Sequence, residues 1–211
     1  AKGVEKNTII IFMSDNGGLS LAPPRGGAPH TQNLPLKGGK GSVYEGGIRE
    51  PMIVKWPGIV KPSSVTDQYV IIEDFFPAIL EMAGVRNYKT VQRVDGKSFV
   101  PVLKNPLYKD TSRLLIWHYP NKWQDQGGPG INYFSAARKG DWKLVYSLRT
   151  GKGELYNLKE DIGETNNLAA KYPAKLKELE SLLGKKLQTW NAPMPLDKTT
   201  RQPAAWPGQT L

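Results

Sequence analysis

The segment that most constrains the fold of this chain is an apolar run close to its first residue. Residues 7–14 read NTIIIFMS, and the tetrapeptide Asp15-Asn16-Gly17-Gly18 follows at once. An apolar run without polar alternation is typical of a strand that is buried on both faces, as in a helix-covered sheet. We therefore expect an α/β fold in which this strand is central and has neighbouring strands from sequence upstream of residue 1.

Two further elements are predicted in the first half of the chain. Residues 52–56, MIVKW, form a second short strand that Pro57-Gly58 ends. Asp74 can cap a helix that Gly84 terminates. The apolar positions of this helix are expected on one face, and they are Phe75, Phe76, Ile79, Leu80 and Ala83.

The second half of the chain changes to short strands joined by glycine-containing turns. Residues 113–119, 134–148 and 153–158 have this character and predict an antiparallel sheet. A final helix after Pro173 is expected to pack on that sheet through residues at helical spacing, which are Leu176, Leu179, Leu182, Leu183, Leu187 and Trp190. The composition shifts near residue 105, which predicts one domain over residues 1–105 and a second over residues 106–211.

Composition limits the partners and the metal chemistry. The net charge of +10 favours polyanionic partners, which include nucleic acid, sulfated polysaccharide and acidic membrane surfaces. The absence of cysteine excludes disulfides and thiolate metal ligands, so oxygen atoms or the two histidines must hold any metal. No apolar stretch approaches the roughly 20 residues that cross a bilayer.

Two groups of residues near the start of the chain suit the binding of ions. Asp15 and Asn16 follow the apolar strand, where α/β sheets bind ligands, and their hard oxygen donors suit Ca²⁺ or Mg²⁺. Taken alone, Asp-Asn-Gly is more often a turn. Lys40 is flanked by Gly38, Gly39 and Gly41, whose missing side chains let an anion approach closely. Without support from the surrounding sequence, a lysine between glycines is more often a solvated residue of a flexible loop.

The sequence between residues 14 and 58 resembles the sulfatase family of the alkaline phosphatase superfamily. The resemblance rests on SDNGG, a variable loop, and then LPLKGGKGSVYEGGIREPMIVKWPG. It continues through IEDFFPAILEMAGV, RKGDWKLVY and ELYNLKEDIGETNNLA. The resemblance implies the C-terminal part of an alkaline-phosphatase-like sulfatase core over residues 1–105, followed by a small antiparallel β-sheet packed by a C-terminal helix.

The resemblance also implies roles for individual residues. Asp15 and Asn16 would coordinate Ca²⁺, and Lys40 would contact the sulfate as a catalytic residue. His118 and, with less support, His30 would contact the substrate. Two further expectations come from the sequence itself: Lys37 could reach the same anion as Lys40, and Glu45 and Arg49 could pair and brace the loop.

The nucleophile of the family is a hydrated formylglycine made from Cys or Ser in a C/S-x-P/A-x-R motif. The nearest serine candidate, Ser20 in SLAPPR, has its arginine one residue late, so we expect the nucleophile upstream of this chain. The 211 residues alone are then expected neither to hold calcium tightly nor to hydrolyse sulfate esters.

The implied partners are a sulfated small molecule or glycan and the N-terminal remainder of the same polypeptide, with no nucleic acid and no membrane segment. A periplasmic or secreted location follows by analogy with the family. Two alternatives stay open: a phosphate or phosphonate ester hydrolase of the same superfamily, and a non-catalytic module that binds polyanions.

Overall fold

The structure is a computed structural model that describes residues 2–19, 33–85, 87–123 and 128–209. These residues form two compact units, each built from two separate stretches of chain. The first unit comprises residues 1–13 and 52–110, and the second comprises residues 14–51 and 111–211. The predicted domain boundary near residue 105 stays a prediction. None of the helices in the described ranges combines the length and apolar character needed to span a membrane.

The sheet of the first unit has two strands. β1 (Ile10–Met13) pairs antiparallel with β2 (Met52–Lys55). Burial alternates along both strands, and Ile10, Phe12 and Ile53 are each more than half exposed. Within this chain β1 is therefore not buried on both faces, and its expected central place beside upstream strands stays a prediction. The physical reason is that a two-stranded ribbon directs alternate side chains to opposite faces, and here only one face is covered.

The helical core of the first unit uses a different helix face from the predicted one. The unit contains α2 (Phe75–Met82) and α3 (Val100–Lys104). From α2, Ala78 is fully buried and Phe75 packs edge-on against Phe99 at a ring separation of 5.1 Å. Phe76 and Ile79, which were expected on the buried face, are 48% and 50% exposed. The face of α2 that packs around Phe99 contains Phe75 and Ala78. The predicted face contained Ile79, so the observed buried face is rotated by one residue from the predicted one.

Asp74 fixes the start of α2 by a route other than the expected cap. Its carboxylate accepts hydrogen bonds from the amides of Ile71 at 3.0 Å and Lys97 at 2.8 Å. Both donors lie outside the helix, and the Asp74 side chain is completely buried. Asp74 therefore joins the segment before α2 to the segment before α3.

The second unit contains the predicted antiparallel sheet. Its strands are β3 (Leu114–Tyr119), β4 (Phe134–Lys139), β5 (Trp142–Ser147) and β6 (Lys152–Asn157), each paired with its neighbour in sequence. The short helix α1 (Glu45–Ile48) and the long helix α4 (Pro173–Thr189) complete the unit. The predicted sheet and its C-terminal helix are confirmed.

Both faces of this sheet are covered. On one face, Leu144 and Leu155 pack against Leu179, Leu183 and Leu187 of α4. On the opposite face, side chains at the alternate positions pack against Val43 and Tyr44, and they are Ala136, Val145 and Tyr156. The sheet is thus a layer between α4 and the segment that follows Lys40.

Candidate functional site

The two segments that sequence analysis singled out lie side by side in the second unit. The backbone amide of Lys40 donates to the carbonyl of Gly18 at 3.1 Å, and the amide of Gly17 donates to the carbonyl of Gly47 at 3.1 Å. A Cβ atom on Gly17 would lie 1.8 Å from the carbonyl oxygen of Gly46. The Asp15-Asn16-Gly17-Gly18 turn therefore contacts both the Lys40 loop (residues 37–41) and α1, and its contact with α1 leaves room only for glycine at position 17.

Asn33 holds the same two segments together and was missed by sequence analysis. Its side-chain Nδ2 lies 3.0 Å from the carbonyl oxygen of Gly18, 3.2 Å from that of Gly38 and 3.1 Å from that of Gly46. One carboxamide thus connects the Asp15-Asn16-Gly17-Gly18 turn, the Lys40 loop and α1. A lone asparagine before Leu34-Pro35 carries no signal of this role in the sequence.

Asp15 and Asn16 offer oxygen donors at an accessible place. Asp15 is exposed and Asn16 is half-buried. Burial, and then the negative charge of Asp15, raise the pKa of Glu50, so these two carboxylates lie within electrostatic reach of each other. Carboxylate and amide oxygens suit a hard cation such as calcium, which prefers about six to eight oxygen ligands. The described ranges contain no group of three or more Asp, Glu or His side chains positioned to hold a metal ion.

The two lysines of the Lys40 loop, Lys37 and Lys40, have different surroundings. Lys40 is exposed. Lys37 instead directs its ammonium towards the sheet, 3.9 Å from the centroid of the Tyr44 ring, and donates to the Tyr156 hydroxyl at 3.2 Å and to the Glu164 carbonyl at 3.3 Å. These contacts hold the Lys37 ammonium against the sheet. They conflict with the expectation that Lys37 reaches the anion alongside Lys40.

A buried ionic cluster anchors α1, the helix after the Lys40 loop, to the sheet. Lys143 on β5 is fully buried and contacts Glu45 and Glu164, each at 2.8 Å. The predicted pair of Glu45 and Arg49 is confirmed at 2.7 Å, and Arg138 lies 3.6 Å from Glu45. The buried carboxylate of Glu164 also accepts a hydrogen bond from the Glu45 amide at 2.7 Å. We therefore interpret the cluster as positioning α1.

The two carboxylates of this cluster respond differently to burial. Burial acts to raise the pKa of Glu45, but Lys143 and Arg49 outweigh it and the pKa lies below its usual value. Burial raises the pKa of Glu164, and Lys143 offsets this only in part. Glu45 has the larger number of cationic partners, so we assign it the full negative charge at neutral pH.

Two tyrosines and a glutamate form a second polar contact on the same face of the sheet. The hydroxyls of Tyr44 and Tyr156 both donate to one carboxylate oxygen of Glu154, at 2.5 Å and 2.7 Å. Burial, and then the hydrogen bond to Glu154, raise the pKa of both phenols. Both tyrosines therefore stay protonated donors, and they link the segment after Lys40 to β6.

His118 lies on the other face of the sheet. Its neighbours at alternate positions, Leu114 and Ile116, pack with the α4 core, whereas Trp117 and Tyr119 face Val43 and Tyr44. Its Nε2 lies 2.7 Å from the Pro193 carbonyl and its Nδ1 lies 2.8 Å from the Ser135 hydroxyl. The structure thus does not bring His118 to the Lys40 loop, and its role as a substrate contact stays a prediction. His30 lies outside the described residues.

The hydrogen bonds of His118 indicate its protonation state. A carbonyl oxygen only accepts, so we assign the proton to Nε2, and Nδ1 then accepts from Ser135 in a neutral ring. Burial lowers the pKa of His118, and the bond to Pro193 offsets this only in part. The neutral form is therefore favoured in the folded chain.

Comparison with known proteins identifies the family. The family profile described as N-sulphoglucosamine sulphohydrolase, C-terminal, matches residues 39–192. A sulfatase of Formosa agariphila is 38% identical over an alignment of 202 residues that covers 92% of this chain and 35% of that protein. The N-acetylgalactosamine-6-sulfatase of Rattus norvegicus is 26% identical over an alignment of 184 residues that covers 74% of this chain and 34% of that protein. The chain belongs to the sulfatase family and corresponds to a C-terminal portion of its members.

Two solved structures have a fold similar to that of this chain. Ps i-CgsB in complex with k-i-k-neocarrahexaose has a TM-score of 0.65 at 27% identity, covering 98% of this chain and 40% of that one. BT4656 in complex with D-glucosamine-2-N,6-O-disulfate has a TM-score of 0.63 at 25% identity, covering 90% of this chain and 36% of that one. The chain spans about a third of the length of the curated relatives named above.

Proposed function

We propose that this chain forms the calcium-binding and sulfate-binding part of an enzyme that hydrolyses sulfate esters of carbohydrates. The observation that carries the proposal is the hydrogen bond from the Lys40 amide to the Gly18 carbonyl. Because Gly18 lies two residues after Asn16, this bond joins the segment with the oxygen donors to the segment with the exposed ammonium. Asn33 supports the same arrangement by contacting both segments.

In this proposal, Asp15 and Asn16 hold Ca²⁺ through their side-chain oxygens, and Lys40 binds an oxygen of the sulfate. Bound calcium would offset negative charge on the sulfate oxygens as the S–O bond breaks. The attack on sulfur falls to a formylglycine, derived from Cys or Ser, in the upstream part of the polypeptide. The 211 residues contain no cysteine, so a cysteine-derived formylglycine has to come from outside them.

Sulfated carbohydrates are the substrate class that several observations support. One relative is named for N-acetylgalactosamine 6-sulfate, and one structural neighbour holds a disulfated glucosamine. The net charge of +10 favours an anionic substrate. We accordingly propose a sulfated glycan and the upstream part of the same polypeptide as partners, and a periplasmic or secreted location, which rests on family analogy alone.

The reaction class is tested with matched esters in the intact polypeptide, meaning this chain together with the upstream part of the sulfatase sequence. We expect faster hydrolysis of 4-nitrophenyl sulfate than of 4-nitrophenyl phosphate, and loss of the sulfatase activity in a calcium chelator. Faster turnover of the phosphate would favour the phosphate ester hydrolase. Salt-sensitive heparin binding without turnover of either ester would favour the polyanion-binding module.

A further inference from the structure

The indole of Trp123 packs against Gly41 of the Lys40 loop. A Cβ atom on Gly41 would be 2.2 Å from Cζ3 and 2.4 Å from Cε3 of the Trp123 indole. The indole therefore occupies the space that any side chain at position 41 would need. Trp123 nevertheless keeps 36% of its surface exposed. An aromatic ring is thus accessible one residue away from the exposed Lys40.

The segment from residue 128 onwards is hydrogen-bonded to the residues after Lys40, and it contacts Trp123 in turn. The Ser42 hydroxyl donates to the Pro129 carbonyl at 2.7 Å, and the Val43 amide donates to the Gly130 carbonyl at 3.0 Å. The Trp123 amide donates to the side-chain oxygen of Asn132 at 2.6 Å. These bonds connect Trp123 to the segment that contains Lys40. A tryptophan that lies on the surface by chance would not need such connections.

The backbone beside Asn132 is strained in a way that serves this placement. Asn132 and Tyr133 have φ angles of +64° and +61°, in the left-handed region that few residues other than glycine adopt. Consecutive residues in this region cost stability, and such strain is concentrated at ligand-binding sites. This backbone carries Asn132, whose side-chain oxygen accepts the hydrogen bond from the Trp123 amide.

We propose that Trp123 is the stacking platform for the sugar ring whose sulfate is bound at Lys40. This inference rests on the proposed function and specifies its substrate: a pyranose rather than a flexible alkyl sulfate. The face of an indole suits the apolar face of a pyranose ring, and Lys40 suits the sulfate that the ring carries. Stacking acts equally on the bound substrate and the transition state, so it should lower KM and leave kcat unchanged.

The test compares Trp123→Phe with Trp123→Met in the intact polypeptide. Both side chains can fill space over Gly41, but only phenylalanine keeps an aromatic face. With N-acetylgalactosamine 6-sulfate, we expect Trp123→Met to raise KM about 3- to 10-fold without changing kcat, and Trp123→Phe to raise it less. With propyl sulfate, both variants should match the wild type within about twofold. Tyr108→Ala, at an aromatic residue that is 42% exposed in the first unit, is the control.

The possible outcomes separate this inference from the proposed function. If the wild type is active and the two variants have the same KM for the sugar sulfate, the platform role is overturned. Equal losses on the sugar sulfate and propyl sulfate would overturn it as well, because they would indicate a packing role for Trp123. A wild type that hydrolyses neither ester would overturn the proposed function, and this inference with it.

Discussion

At the scale of single residues, Asn33 shows how one carboxamide positions the candidate site. It uses its nitrogen, as a donor towards three carbonyl oxygens. Asn167 uses its oxygen, which accepts from the amides of Leu155 at 3.1 Å and Ala169 at 3.0 Å. The two asparagines therefore form a matched pair with opposite hydrogen-bonding roles.

Replacement of each asparagine by aspartate distinguishes these roles. Asn33→Asp places a carboxylate against carbonyl oxygens, and we expect it to lower the free energy of unfolding by about 1–3 kcal/mol. Asn167→Asp keeps an acceptor and should stay within about 0.5 kcal/mol of the wild type. Urea unfolding of the purified chain at pH 7 measures both values. Equal losses in the two variants would refute the donor role of Asn33.

His118 provides a prediction about pH. Its folded-state pKa is lowered, mainly by burial, so its contribution to stability is present above the unfolded pKa of about 6.5 and is lost as pH falls through the folded pKa. NMR titration of the His30→Asn variant, which leaves a single imidazole, should give a pKa below about 6.5. His118→Asn should also reduce the loss of stability between neutral and mildly acidic pH. A titration midpoint at or above about 6.5 would contradict the lowered pKa of His118.

The sequence could not reveal the polar residues that act through tertiary contacts. Lys143 occupies an alternating position of β5, which normally indicates a solvent-facing side chain. It is buried because Glu45 and Glu164, from segments distant in sequence, meet it there. By contrast, Glu45 and Arg49 lie four residues apart in sequence, and their pairing was predicted from that spacing, although the helix that brings them together was not.

At the scale of elements, local patterns predicted the second unit better than the first. The glycine turns and leucine spacing gave the four-stranded sheet and α4, because these elements bury their apolar faces within the unit. In the first unit, apolar side chains of β1 and α2 stay exposed, such as Phe12 and Phe76. An apolar pattern predicts which side chains favour burial. It does not predict which of them are covered by other residues of this chain.

The contact between α4 and the C-terminal segment is testable through Gly184. In the interior of a helix, Gly→Ala normally gains about 1 kcal/mol. A Cβ atom on Gly184 would lie 2.0 Å from the Pro207 carbonyl oxygen, so we expect Gly184→Ala to destabilise the chain by about 1–3 kcal/mol instead. Lys185→Ala, at the exposed neighbouring position, is the control and should change stability by less than about 0.5 kcal/mol. Urea unfolding that shows a gain for Gly184→Ala would contradict this packing.

At the scale of the whole molecule, the second unit brings the backbone of the Asp15 turn and the backbone at Lys40 together on a single scaffold. The sheet fixes the segment after Lys40 through Tyr44 and the Glu45–Lys143 ion pair, and backbone bonds fix the Asp15 turn to the same segment. Sequence analysis predicted the candidate residues through family resemblance. The fold adds the contacts that hold them in place.

The isolated chain provides a prediction at this scale. Asp15 and Asn16 are two ligating side chains with at most about three oxygen donors, and calcium prefers about six to eight. We therefore expect the purified 211-residue chain to bind calcium no more tightly than about 10⁻⁴ M by isothermal titration calorimetry and to show no turnover of an aryl sulfate. Measurable hydrolysis by this chain would show that the proposed upstream nucleophile is not required.

The central claim is that the Asp15 turn and Lys40 act on the same sulfate, and a double-mutant cycle in the intact polypeptide tests it most directly. Lys40→Met should keep bound calcium and lower kcat/KM for N-acetylgalactosamine 6-sulfate about 10²- to 10³-fold, whereas Asp15→Ala should lose calcium and lower kcat/KM to a small but measurable residual value. Because the two groups act as a unit, the double variant should lose much less than the product of the two single losses. Fully multiplicative losses, or a Lys40→Met enzyme as active as the wild type, would contradict a shared sulfate site.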